Sequence, residues 1–255
     1  MRRAFDVLAP LLLIALLLGA WEAACRVGHV PVYRLPPPSA VVGALARNLP
    51  LLAKSAWNTF AMALLALGVA SFTASVIALV AALNGVFERA ARPLAVALQV
   101  TPVVALAPLI QIWAGIDHPQ MAVVALTAVV AFFPIYSGAV SGLRSADLDL
   151  ERLFDLYGAS PWQRLTRLRI PSAVPFLLEG HKVAVGLSLV GAVVAEFAAG
   201  SGGSQGLAWR ILEAGNHLQT DKMMAALLVL ALMGGALHTV FQLLERRALV
   251  WWRGR

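Results

Sequence analysis

The sequence predicts an all-α integral membrane protein with six transmembrane helices, and three observations carry that prediction. Of its 255 residues, 60% are hydrophobic and only 13% charged, against about a quarter charged in soluble domains, and the mean hydropathy is +0.79. Six apolar runs approach the ~20 helical residues needed to cross a ~30 Å hydrocarbon core. They cover residues 7–25, 59–83, 93–113, 119–141, 174–199 and 223–244. The alternating pattern of a spanning barrel strand is absent, and lipid tolerates no open sheet edge, so each run is predicted to be helical.

The first run follows the pair Arg2-Arg3 and ends in GAWEAAC, the outline of a cleavable signal peptide. Glu22 occupies a position where a cleavage site wants a small apolar residue. The segment is therefore read as a retained signal anchor that becomes the first span. Residues 26–58 contain PPPSAVVGALARNLP, a proline stop with Ser39 placed to cap a short interfacial helix. The third run carries Pro102 and Pro108, each of which removes a backbone donor, and is expected to be broken. After the fifth run, GSGGSQG leads into LAWRILEAGNHLQT, an amphipathic stretch with Leu207, Ile211 and Leu212 on one side. No repeat interrupts the chain, which reads as one membrane domain.

Charge sets the orientation, because cytoplasmic loops carry the excess of Lys and Arg. With the N-terminus inside, the inner set is Arg2, Arg3, Arg89, Arg92, Arg144, Arg152, Arg164, Arg167, Arg169, Arg246, Arg247, Arg253 and Arg255. The outer set is Arg26, Arg34, Arg47, Lys54, Arg210 and Lys222, and Lys182 lies within a span. Thirteen against six puts both termini in the cytoplasm. The net charge of +7 is scattered between apolar runs, which excludes nucleic acid as a partner. Cys25 is the single cysteine, so there is no internal disulfide framework and no Cys-rich metal site. His29, His118, His181, His217 and His238 are dispersed and H-E-x-x-H is absent; Gly202 to Gly206 spell G-x-S-x-G, but within a glycine-rich loop that is more simply a flexible turn. No catalytic constellation and no metal are expected.

Between the fourth and fifth runs lies YGASPWQRLTRLRIP, residues 157–171. Before it, SADLDLERLFDLYG spaces Leu148, Leu150, Leu153, Phe154, Leu156 and Tyr157 among acids, predicting a short amphipathic helix that Gly158 ends in the left-handed conformation. Ser160, Pro161 and Gln163 then spell a second helix start with a capping box. Its side chains are expected to divide into Trp162, Leu165 and Leu168 on one side, with Gln163, Arg164 and Arg167 away from them, until Pro171 closes it and Ser172 caps the next span. Residue types alone allow two uses for such a knob: docking to another protein, or arginines holding anionic headgroups of membrane lipid.

The order Leu156 to Gln163, then I-P-S-A-V-P over Ile170 to Pro175, resembles the EAA loop of the membrane subunits of binding-protein-dependent ABC importers. A-V-V-A-E-F over Ala192 to Phe197, the glycine-rich outer loop, L-Q-T-D over Leu218 to Asp221 and L-L-E-R-R over Leu243 to Arg247 extend the likeness across residues 55–252, leaving 1–54 as the first helix and outer interfacial segment. Arg152, Leu153 and Phe154 stand where the family often has Glu-Ala-Ala. The resemblance implies a type I importer permease fold in a bacterial-type inner membrane, with an EAA-like loop at 144–173 forming cytoplasmic coupling helices. It implies three partners: an ABC ATPase subunit, a second permease copy and an extracytoplasmic solute-binding protein. Gly158, Ala159, Ser160, Pro161, Trp162, Gln163 and Arg164 would meet the ATPase. ATP and Mg would be bound by that subunit, with no cofactor in this chain; Lys54, Lys182 and Lys222 all lack the glycine-rich frame of a P-loop. The branch includes permeases for nitrate, sulfonates, taurine, riboflavin and the thiamine pyrimidine precursor, and L-Q-T-D and L-L-E-R-R look closer to the vitamin-precursor members.

Ionisable groups within spans are costly and so are candidates for function. Glu179, His181 and Lys182 lie in the first turns of the fifth run, where they either pair or snorkel to the interface; Glu22 and His238 lie near run ends. Gly180, Ala184, Ser188 and Ala192 form a small-residue stripe that permits close helix approach. For the solute path the candidates are Gln99, Pro102 and Gln111 in the broken third run, Tyr136 after Pro134, and Glu196 near the outer end of the fifth. Irregular membrane backbone is tolerated where it lines a cavity or is buried in protein. An ion-coupled secondary transporter would instead show repeats and committed midplane charges. A membrane-embedded enzyme would need a nucleophile or metal cluster at one depth.

Overall fold

The computed structural model describes residues 2–115, 118–199 and 205–252. The glycines of the GSGGSQG loop at 200–203 and the terminal arginines at 253 and 255 lie outside the described residues. Every regular element among the described residues is helical, as the composition predicts. In chain order these are α1 Arg2–Val27, α2 Pro38–Arg47, α3 Leu49–Leu83, α4 Gly85–Val100, α5 Val103–Ala114, α6 Pro119–Leu143, α7 Leu148–Leu156, α8 Pro161–Arg164, a π-turn Leu165–Arg169, α9 Ile170–Ala199, α10 Leu207–Asn216 and α11 Thr220–Trp252. Among the described residues, four stretches are long and apolar enough to cross a membrane: Leu49–Leu83, Pro119–Leu143, Pro161–Ala198 and Thr220–Trp252.

The third apolar run is two helices. Thr101 and Pro102 are extended, with ψ of 125° and 109°. Proline lacks an N–H and forces its predecessor out of the helical region, so the ladder stops there. Thr101 closes the end of α4 by donating its hydroxyl to the Ala97 carbonyl at 2.7 Å.

The chain forms two compact units, Met1–Trp57 with Gln205–Ala231, and Asn58–Ser204 with Leu232–Arg255. In the first, the sequence expectation for Ser39 needs correction. Helix α2 begins two residues earlier, with Pro37 at the N-cap position and no side-chain cap of its own. The Glu22 carboxylate supplies the cap from α1, accepting the Ser39 N–H at 3.0 Å and the Ser39 hydroxyl at 2.7 Å while pairing with Arg26 at 2.6 Å. A carboxylate at a helix N-terminus satisfies orphan donors and meets the positive end of the dipole.

Amphipathic α10 buries Leu207, Ala208, Ile211 and Ala214. Arg210 donates to the Ser55 hydroxyl at 3.1 Å and to Glu213 at 2.9 Å. This hydrogen bond, helped by the charges of Arg210 and Lys222, holds the Glu213 carboxyl below the usual carboxylate range. Because the folded group titrates below its free value of ~4.3, its stabilisation is complete above that pH and is lost as pH falls through the folded value. Thermal unfolding midpoints followed downward from neutral pH are expected to fall more steeply below ~pH 4.3 in the native protein than in Glu213→Gln. Parallel curves would remove Glu213 as a contributor.

The second unit centres on α3, α6 and α9. Ala66, Ala70, Ala74 and Ala78 form a fully buried stripe on α3, packed with Ala131, Ile135 and Ala139 of α6 and with Ala173 and Ala184 of α9. Four-residue spacing of small side chains puts them on one helical face, and in lipid such faces allow backbones to approach.

Candidate functional site

The segment between α6 and α9 builds a corner whose ends are both satisfied locally. Asp147 caps α7 by accepting the Asp149 N–H at 2.7 Å. At the other end, Gly158 has φ of +60°. The Ala159 N–H reaches the Phe154 carbonyl and the Gly158 N–H reaches Asp155, each at 3.0 Å, the paired bonds of a Schellman turn. Two residues on, the capping box closes reciprocally: the Gln163 N–H donates to the Ser160 hydroxyl at 3.2 Å, and the Ser160 N–H to the Gln163 amide oxygen at 2.9 Å.

Ion pairs then lock α7 onto α8. Glu151 is the hub, 2.7 Å from Arg169 and 3.3 Å from Arg164, and Arg164 also binds Asp155. Arg169 further donates to the Ala82 carbonyl at 3.5 Å, in the last turn of α3. Arg164 is therefore turned inward, contrary to the sequence expectation, while Arg167 remains exposed. The expected grouping of Trp162 with Leu165 and Leu168 also fails. The two leucines are buried, at 1% and 6% exposure, and Trp162 is 60% exposed.

Pro171 does not close the second helix. The Ile170 N–H bonds to the Leu165 carbonyl, five residues back, and the widened turn accommodates the pyrrolidine ring that would clash with a regular turn. Ser172 accordingly caps nothing and donates its hydroxyl to the Leu168 carbonyl at 2.9 Å. Pro175, lacking an N–H, leaves the Pro171 carbonyl without its helical partner, and the Trp252 indole N–H fills that role at 2.9 Å.

Helix α7 buries none of its residues. Leu148, Leu156 and Tyr157 are more than 70% exposed and join Trp162 on the outside of the corner. Leu153, Phe154, Tyr157, Ala159, Gln163 and Arg167 line a dent between the two helices. The corner is thus internally rigid and externally apolar.

A second feature is the seam between α6 and α9. A Cβ on Gly138 would fall 2.7 Å from the Phe176 carbonyl oxygen, and one on Gly180 2.6 Å from that of Pro134. A Cβ on Gly142 would fall 2.9 Å from the Ala173 carbonyl oxygen. The expected stripe of Gly180, Ala184, Ser188 and Ala192 is buried throughout. Its counterpart on α6, Gly138-x-x-x-Gly142, is a small-x-x-x-small signal legible in the sequence.

Beside this seam is an open cavity of about 560 Å³, lined by Gln99 of α4, by Val129, Val130, Phe133, Pro134, Ser137, Gly138 and Ser141 of α6, and by Phe176, Glu179, Gly180, Val183 and Leu187 of α9. Of the solute-path candidates, Gln99 is among the lining residues. Pro102, Gln111, Tyr136 and Glu196 are elsewhere: Pro102 precedes α5, Gln111 donates to the Ala198 carbonyl at 3.0 Å, Tyr136 is buried and stacked on Phe132 with centroids 5.6 Å apart, and Glu196 is buried, accepting from Thr59 at 2.7 Å.

The ionisable groups of α9 pair within the protein. Lys182 lies 3.6 Å from Glu179 and 3.3 Å from Glu245, the acid of the L-L-E-R-R segment. His181 places Nδ1 at 2.7 Å from the Leu177 carbonyl, which can only accept, so that nitrogen carries the proton, and Nε2 lies 3.1 Å from the Ser71 hydroxyl. Among the described residues no cluster of His, Cys, Asp or Glu has metal-binding geometry.

Residues 74–250 match the family described as binding-protein-dependent transport system inner membrane component. The chain is 32% identical to a probable ABC transporter permease protein of Haemophilus influenzae, over 88% of this chain and 89% of that one. It is 32% identical to the formylaminopyrimidine transport permease protein ThiX of Halalkalibacterium halodurans over 98% of both, and 33% identical to the riboflavin transport system permease protein RibX of Chloroflexus aurantiacus over 93% of this chain and 88% of that one. A putative aliphatic sulfonates transport permease protein, SsuC of Escherichia coli, is 31% identical over 95% and 91%. With the match covering well over half the chain, this protein belongs to the binding-protein-dependent family of ABC importer permeases, as an inner-membrane component.

Proposed function

We propose that this chain is the membrane permease of an ATP-driven importer that moves a small solute into the cytoplasm. In this reading α1 and the α4–α5 pair join the four long apolar helices to make six crossings, with both termini cytoplasmic. Two permease copies flank the path, and a solute-binding protein delivers solute from outside. A separate ATPase subunit binds ATP and Mg and hydrolyses the nucleotide. The solute is a vitamin precursor such as a pyrimidine or riboflavin, or a sulfonate-type anion, the classes named for the relatives, or a nitrate-type anion, which the family resemblance adds.

The observation that carries the reading is the corner α7–Gly158–α8. Its helix ends are satisfied internally, Glu151 ties α7 to Arg164 and Arg169, and Leu148, Leu156, Tyr157 and Trp162 are left exposed. A rigid element that presents apolar side chains from a membrane domain fits a groove on a partner and transmits its movement. Because the π-turn carries α8 directly into α9, displacement of the corner acts on the helix that lines the cavity. Residues 158–164 are therefore assigned to ATPase coupling.

Reconstitution tests this. The permease, its ATPase and its binding protein in proteoliposomes should hydrolyse ATP faster when binding protein and solute are added together, and solute should accumulate inside. Solute movement by the permease alone under an ion gradient would overturn the reading.

A further inference from the structure

From the lining of the α6–α9 cavity we infer that the importer's solute is an uncharged or cationic, hydrogen-bonding heteroaromatic molecule of the aminopyrimidine or flavin kind, and that sulfonate- and nitrate-type anions are excluded. This rests on the importer reading and on the cavity being part of its path.

Charge decides against anions. Glu179 is the charged residue of the lining, its side chain 65% exposed, and no Lys or Arg lines the cavity among the described residues. The cation paired with Glu179, Lys182, is shared with Glu245, so the three groups carry one formal net negative charge. His181 is engaged by Leu177 and Ser71. Arg92, two turns before Gln99 on α4, is not a lining residue. A carboxylate at the wall of a cavity repels anions and attracts cations and N–H donors.

The remaining groups suit a planar ring. Phe133 and Phe176 supply aromatic surface, while Gln99, Ser137 and Ser141 supply both donors and acceptors. Pro134 has no N–H to give the Val130 carbonyl, and both residues belong to the lining, so a backbone acceptor there lacks its regular helical partner. A volume of about 560 Å³ is within the range of small-molecule sites. A sulfonate would need cationic or clustered N–H donors, which Arg or Lys normally provide.

The test uses the assembled permease–ATPase complex in nanodiscs and equilibrium binding of three probes: 4-amino-5-aminomethyl-2-methylpyrimidine, riboflavin and ethanesulfonate. The aminopyrimidine is expected to bind at least tenfold more tightly than ethanesulfonate. Glu179→Lys should abolish or reverse that order, and Glu179→Gln, which leaves Lys182 paired with Glu245, should weaken the aminopyrimidine severalfold. Ethanesulfonate binding as well as the pyrimidine, an unchanged order in both variants, or no binding of any probe overturns the inference. Solute-stimulated ATP hydrolysis measured on the same complex separates the two failures. An active complex that prefers the sulfonate refutes the inference alone, and an inert complex without ATPase association refutes the importer reading.

Discussion

Gly180→Ala is expected to lower the thermal stability of the permease sharply. The added methyl would fall 2.6 Å from the Pro134 carbonyl oxygen and 3.4 Å from the Gly138 and Ile135 α-carbons. All three are backbone atoms, so no rotamer change relieves the contact and α6 and α9 must separate. Separation also loosens Gly138 against Phe176 and Gly142 against Ala173, because the same seam is used along its length. Overpacking of this kind costs about 3 kcal/mol, a large share of a membrane domain's margin. Gly186→Ala on the same helix is the control, since a methyl there meets nothing within 4 Å. Thermal unfolding in detergent should show a clear drop for position 180 and almost none for position 186; equal midpoints would mean the seam is not the constraint described.

Gly158→Val is expected to abolish solute-stimulated ATP hydrolysis while sparing membrane insertion. There is room for a side chain, since a Cβ at 158 meets nothing within 4 Å, so the effect is conformational rather than steric crowding. The residue has φ of +60°, a region that costs an ordinary residue about 1–2 kcal/mol and a β-branched one more. The Schellman bonds from Ala159 and Gly158 depend on it, and their loss unhooks α7 from the capping box that starts at Ser160. Each 1.4 kcal/mol is tenfold in an equilibrium, so the corner's docking-competent population should fall about tenfold or more. Gly158→Asn should retain most coupling, because asparagine enters the left-handed region readily. ATPase co-purification and stimulated hydrolysis would be measured for both. Normal stimulation in the valine variant, or equal loss in both, would sink the assignment.

The corner was legible because its signals are local. Ser160, Pro161 and Gln163 are three residues apart or less, and Gly158 follows the last apolar turn of α7 directly, so propensity and capping chemistry suffice to place them. What fastens the corner was not legible. Glu151 binds Arg164 and Arg169 across 13 and 18 residues, and Trp252 reaches Pro171 across 81, distances that no helical period encodes. Pro171 misled for a related reason. A proline normally ends a helix, but here a five-residue π-turn before it absorbs the ring and the helix runs on.

The cavity shows the same division. Gln99 was found because the broken run around Pro102 suggested irregular backbone. Ser137, Ser141 and Glu179 were passed over or read as boundary residues, since only the packing of α6 on α9 shows that they share one wall.

By itself the sequence determined that this chain is a helical membrane protein, where its apolar runs lie, and that a capped two-helix corner sits between two of them. Those outcomes follow from hydrophobicity, hydrogen-bond satisfaction and turn chemistry within a few residues. The tertiary structure alone decided how α6 and α9 meet, which ion pairs lock the corner, and which side chains surround the cavity. Those depend on side-chain pairs brought together by packing, and a linear order of residues does not carry that information.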